Sequence, residues 1–113
     1  MRNGIFLGMF VMFLLTIGQV HFLDAVPGRY SEVYVDYNNL GNERADNTKI
    51  TLMIPDLNVY DNSGSFDVAA HDNGLRVMLP YIPTTAQRGW YPMWTILSND
   101  ESRTWQFDWI YVE

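Results

Sequence analysis

The sequence predicts an all-β protein: an antiparallel, immunoglobulin-like β-sandwich of about seven strands behind an N-terminal hydrophobic export segment. Three observations predict it. From Tyr30 onward, short stretches of alternating apolar and polar residues follow one another, dominated by β-branched and aromatic side chains. Clusters of Gly, Asn, Asp and Pro interrupt them every ~8–12 residues, the spacing of a sandwich. No stretch beyond the first two dozen residues carries the helical period.

The chain opens with Met1-Arg2-Asn3, one positive charge, and then an almost unbroken apolar run from Ile5 to Ile17, closed by Gln19, His21 and Asp24. A charged start and a short apolar run are the marks of a secretory leader. The run is shorter than the ~20 apolar residues that span a bilayer. Residues 1–25 are therefore expected to be a signal peptide cut after Ala25, or an uncleaved anchor reaching Leu23. The domain proper is expected at 26–113.

Each strand follows from its alternation. Tyr30–Tyr37 places Val33, Val35 and Tyr37 on one face. Asn38–Asn42 is a turn, after which Lys49–Ile54 sends Ile50, Leu52 and Ile54 inward. Leu57–Tyr60 and Ser65–Val68 are short strands, the second with Phe66 and Val68 inward. Asp72-Asn73-Gly74 has hairpin-turn chemistry. Leu75–Tyr81 puts Leu75, Val77, Leu79 and Tyr81 on one face, and Pro80, which has no N–H to donate, marks an edge or an end. Trp90–Leu97 is a long strand, Asn99–Ser102 a turn, and Arg103–Val112 the last strand. There Trp105, Phe107 and Trp109 hold one phase and Ile110 and Val112 the other, which suggests a β-bulge at Trp109-Ile110.

Composition narrows the function. The net charge is −6, and the basic residues Arg29, Arg44, Lys49, Arg76, Arg88 and Arg103 are scattered. Nucleic acid and anionic headgroups need a basic patch, so neither is expected as a partner, and membrane contact is expected only through the N-terminal segment if it is retained. With no cysteine, disulfides, thiolate metal sites and cysteine nucleophiles are excluded. The core must hold the domain alone, and 48% hydrophobic with 15% aromatic residues supports that. The Asp and Asn clusters (Asp56, Asp61-Asn62, Asp72-Asn73, Asn99-Asp100-Glu101) sit at separate turns, where such side chains bond the local backbone; no metal and no cofactor is expected. Ser65, His71 and Asp72 could be written as a triad, but no nucleophile elbow or oxyanion hole accompanies them. No catalytic residue is assigned.

Asn39-Leu40-Gly41-Asn42-Glu43, followed by Ile50-Thr51-Leu52-Met53-Ile54-Pro55, resembles the CARDB/APHP-type domain, the cell adhesion related domain found in bacteria. Pro83, Gly89-Trp90-Tyr91 and Ser98-Asn99-Asp100 extend the resemblance over most of Ser31 to Glu113. It implies an immunoglobulin-like module of prokaryotic surface proteins, concerned with adhesion or spacing, and it implies that Tyr91 is a core residue.

If Tyr91, Met93, Thr95 and Leu97 face the core, then Trp90, Pro92, Trp94 and Ile96 face solvent. An apolar stripe on an outer face marks a partner surface. The expected binding residues are Trp90, Trp94, Ile96 and Tyr111, and the expected function is an exported, non-catalytic interaction module at the cell surface that binds another protein or itself. The alternative is a small carbohydrate-binding domain stacking a glycan on the tryptophans. A bland reading competes with both: the leader-proximal segment or a loop could cover the face.

Overall fold

Side-chain alternation decides which face of each strand becomes core. The structure is a computed structural model that describes residues 14–113. It contains β1 (Leu15–Phe22), β2 (Val33–Asn39), β3 (Ala45–Ile54), β4 (Val59–Asn62), β5 (Phe66–Val68), β6 (Asn73–Met78), β7 (Gly89–Ser98) and β8 (Arg103–Val112), with a single 3-10 turn at Pro55–Leu57. One sheet has the order β1-β2-β6. The other has the order β4-β3-β7-β8, with β5 paired to the start of β3. All pairings between strands are antiparallel.

The sheets enclose one core. Val33 and Val35 from β2, Ile50, Leu52 and Ile54 from β3, Met93 and Leu97 from β7, and Ile110 and Val112 from β8 are all fully buried. Each such aliphatic side chain contributes about 1.5–3 kcal/mol on burial. Seven strands, β2 to β8, match the seven expected ones, with Val33, Val35, Ile50, Leu52, Ile54 and Val68 turned inward as their alternation requires.

The eighth strand lies where the sequence places the leader. β1 pairs with β2 from Leu15↔Asn39 to Phe22↔Val33. Leu15 is buried, and Ile17, Val20 and Phe22 pack against the core. Ala25 is fully buried beside Val112. Its N–H donates to the Tyr111 carbonyl at 2.7 Å, and its own carbonyl accepts from the Glu113 N–H at 2.9 Å. β1 thus adds Leu15–Phe22 to the sandwich ahead of the boundary expected at residue 26, and residues 1–13, the rest of the expected export segment but for Leu14, lie outside the described ones.

Three further expectations change. Trp109-Ile110 is no bulge: β7 and β8 pair without interruption from Gly89↔Val112 to Ser98↔Arg103. The strand carries two apolar stripes on opposite faces, because the inward positions begin polar (Thr104, Gln106, Asp108) and turn apolar only at Ile110. The register shifts elsewhere: in β1 between Ile17 and Val20, and in β3, against β5, between Ala45 and Thr48. Asp72-Asn73-Gly74 does not close a hairpin, since β5 pairs with β3 and β6 with β2; the chain crosses here from one sheet to the other. Leu75, Val77 and Leu79 share a face, but it is the solvent face. Met78 and Pro80, in the other phase, are buried. The reading of Pro80 as an edge or an end holds: among the described residues β6 pairs only with β2, and it ends at Met78.

Asn39 explains the Asn-x-Gly turn. Its side chain is fully buried. Its Oδ1 accepts from the backbone N–H of Leu14 at 3.0 Å and of Gly41 at 3.1 Å, while its Nδ2 donates to the carbonyls of Glu43 at 2.8 Å and Val68 at 3.3 Å. One amide therefore ties β1, the β2–β3 turn and β5 together. A buried amide with all its groups paired costs little to bury and much to lose.

Candidate functional site: an aromatic sheet face

The outer face of the β7–β8 hairpin is built by register. The turn Asn99–Ser102 is held by the Asn99 Oδ1, which accepts from the N–H groups of Glu101 and Ser102 at 2.9 Å each. Counting back from it, Trp90 pairs with Tyr111, Pro92 with Trp109, Trp94 with Phe107 and Ile96 with Trp105. All eight side chains lie on the side away from the core. On the other side Met93, Thr95 and Leu97 are fully buried, and Tyr91 packs against the core while its hydroxyl donates to the Gln87 carbonyl at 2.8 Å.

The face extends across the sheet. Met53 on β3 pairs with Trp94 on one side and with Tyr60 of β4 on the other. Trp90 is 65% exposed, Tyr60 65%, Trp109 54%, Trp105 49% and Phe107 41%. With roughly 150–250 Å² on each aromatic side chain, that leaves on the order of 500–600 Å² of apolar surface in one region. This is the upper end of what a monomer usually shows, and patches of that size are often functional.

The rings pack edge to face. Trp90 and Tyr111 are 5.0 Å apart at 61°, Trp94 and Phe107 4.9 Å at 58°, Trp94 and Trp105 5.7 Å at 85°, and Phe107 and Trp109 5.4 Å at 85°. Such pairs add about 0.5–1.5 kcal/mol each beyond burial, which holds the rings in place while their outer surfaces face water. Of the four residues expected to bind, Trp90 is the exposed one. Trp94 and Tyr111 are half-buried between neighbours, and Ile96, at 8% exposure, forms the floor. Trp105, Phe107 and Trp109 belong to the same face, beside the four residues expected from the sequence. The signal for them was the turn: counting pairs from Asn99–Ser102 places every β8 aromatic opposite the β7 stripe.

The described leader-proximal strand does not cover this face, since β1 joins β2 in the opposite sheet. Beneath the face, on the core side of β8, the Asp108 Oδ2 is sealed from solvent without a hydrogen-bond partner, as is the Thr95 Oγ1. Desolvation raises the Asp108 pKa above the usual carboxylate range, partly opposed by the Gln106 side chain.

The turn carboxylates and amides bond the local backbone. Asn62 Oδ1 accepts from the Gly64 N–H at 2.7 Å, and Asp72 Oδ1 from the Asn73 N–H at 2.9 Å. Among the described residues no three His, Asp or Glu side chains converge as a metal site. Ser65, His71 and Asp72 are all exposed, and among the described residues no hydrogen bond joins their side chains.

The two sheets and the exposed aromatic side chains define an all-β sandwich, and solved structures place its fold. The fold is of the CARDB type. The chain is similar to the crystal structure of a CARDB domain from Pyrococcus furiosus in complex with di-metal ions, at 16% identity, covering 92% of this chain and 91% of that one, with a TM-score of 0.69. The solution structure of the same domain aligns over 87% of this chain and 93% of that one, at 16% identity and a TM-score of 0.64. Alpha-2-macroglobulin from Escherichia coli, from its domain MG7 to the C-terminus, aligns at 10% identity and a TM-score of 0.64 over 92% of this chain and 17% of that one. No family model matches the sequence, and no curated protein matches it.

Proposed function

We propose that this chain is an exported, non-catalytic binding domain that works at the cell surface by docking a protein on the outer face of β7 and β8. The observation that carries the reading is the row of Trp105, Phe107 and Trp109 beside Trp90, each of them 41–65% exposed, with no charged side chain between them. Tryptophan is among the residue types enriched at the hot spots that carry most of an interface's binding energy. The apolar run at the N-terminus supports export, and the CARDB-type fold supports a module without chemistry of its own. Sugar stacking needs rings lying flat in one plane, and the neighbouring rings here stand at 58–85° to one another.

The test is Trp90→Ser with Trp109→Ser, followed by urea unfolding. If the rings are open to solvent, the double variant loses only the two ring pairs that Trp90 and Trp109 make, about 1–3 kcal/mol in all. Rings belonging to a core cost about 3–5 kcal/mol each, and that result would remove the reading. Soluble β-glucan oligosaccharides titrated into the unmodified chain should leave tryptophan emission unchanged; a saturable shift would move the assignment to glycan.

A further inference from the structure

The outer row of β8 reads Arg103, Trp105, Phe107, Trp109, Tyr111, a cation and four rings, and the exposed anion Glu113 follows one residue past the strand's end, next in the same alternation. Arg103 pairs with Ser98, which pairs with Lys49 of β3, so two cations stand at that end of the face. Glu113 stands at the other end, its N–H held by the Ala25 carbonyl at 2.9 Å. Ten residue steps of extended chain separate Arg103 from Glu113, about 33 Å. Among the described residues none of these three charges has an ion-pair partner. Asp100 and Glu101 lie in the turn beyond the end of the row, and Asp100 is 3.5 Å from the Asn47 amide.

We infer that the partner of the aromatic face is a second copy of this chain, packed face to face about a two-fold axis that runs across the strands, so that Arg103 of each copy meets Glu113 of the other. The inference rests on the open-face reading above and names the occupant. Two sheets can meet this way about either of two in-plane axes. An axis along the strands sets Arg103 against Arg103 and Glu113 against Glu113. An axis across them reverses the strands and pairs unlike charges at both ends while the four rings of each row oppose those of the other. Charge therefore selects the second arrangement. The contact is isologous, so it closes at a dimer and leaves no face for growth. The exposed apolar surface, on the order of 500–600 Å², supplies most of the ~800 Å² per partner that a stable interface buries, and the charged ends supply the rim.

The test is sedimentation equilibrium of the full chain over concentrations on the order of 1–100 µM. The parent should pass from monomer to dimer and stop there. Trp90→Ser with Trp109→Ser should raise the dissociation constant at least ~100-fold. Arg103→Glu alone and Glu113→Arg alone should each raise it roughly 10-fold, by setting like charges together at both ends. Mixing the two single variants should restore the parental value, because their heterodimer again pairs opposite charges. All variants keep residues 1–13, so any association through that segment is common to every sample. A parent that stays monomeric, or a dimer indifferent to the tryptophans, overturns the second-copy assignment. Single reversals without effect overturn the antiparallel pairing. Unfolding of the tryptophan variant overturns the open face itself, which a melting curve reads separately.

Discussion

Two leucines eight residues apart decide where the domain begins. Leu15 lies on β1, 6% exposed and within the core; Leu23 lies just past the strand, 85% exposed. Both fall in the stretch that the sequence alone assigns to a leader ending at Ala25. Replacing a buried leucine by alanine costs about 2–5 kcal/mol. Leu15 sits at the end of an edge strand where the site can partly collapse, so we expect the lower part of that range, about 2–3 kcal/mol. Leu23→Ala removes contacts with water only and should fall within about 0.5 kcal/mol of the parent. Urea unfolding followed by tryptophan emission measures both. At a denaturant dependence of roughly 1–3 kcal/mol per molar, the Leu15→Ala midpoint should drop by about 0.7–3 M with an unchanged slope. Equal midpoints for Leu15→Ala, Leu23→Ala and the parent would mean that β1 is not docked, and would return residues 15–25 to the leader.

Other consequences are as specific. Asn39→Ala strips partners from two backbone N–H groups and two carbonyls around a fully buried site, and should cost about 2–4 kcal/mol in the same urea assay. Gly74→Ala would ordinarily stabilise a strand by about 0.4–1 kcal/mol. Here the new methyl would fall on the Tyr37 ring and hydroxyl across the β2–β6 pair, and Tyr37 is held against Phe66 at 5.1 Å. The substitution should therefore cost about 1–3 kcal/mol, and Tyr37→Val in the same chain should recover most of it, a non-additivity that a double-mutant cycle reads directly. Asp108 has a folded-state pKa raised by desolvation, so the folded chain binds its proton more tightly than the unfolded one. Its contribution to stability falls as pH rises from the unfolded to the folded pKa, and the penalty is complete above that window. Asp108→Asn should therefore be more stable than the parent at pH 7, an advantage that disappears below about pH 4; an equal gain at both pH values would refute the cause.

Most of the sandwich was legible because its strands obey a period of two with one face buried. Ile50, Leu52 and Ile54 needed no more than that. β1 was not legible for a physical reason: Leu15 and Ile17 keep one phase, Val20 and Phe22 the other, and the irregularity at Gly18-Gln19 that joins them hides the alternation inside an apolar run. β8 misled in the opposite way. Its two apolar stripes lie on opposite faces of one regular strand, which in sequence looks the same as a stripe that changes phase. The same feature split the site. Trp90 and Trp94 could be read as outward from Gly89-Trp90-Tyr91, while Trp105 and Trp109 could be read so only after the β7–β8 register was counted from its turn. Asn39 looked like turn chemistry, and nothing local indicated that its side chain would reach Val68, 29 residues away.

Hydroxyl-radical footprinting of the chain, dilute enough to be monomeric, reads whether the aromatic face is open to water. Met93 at 0% exposure and Trp90 and Trp109 at 65% and 54% give the contrast within one sheet. Trp90 and Trp109 should oxidise rapidly with Met93 protected. Protection of both tryptophans to the level of Met93 in the dilute chain would contradict an open face.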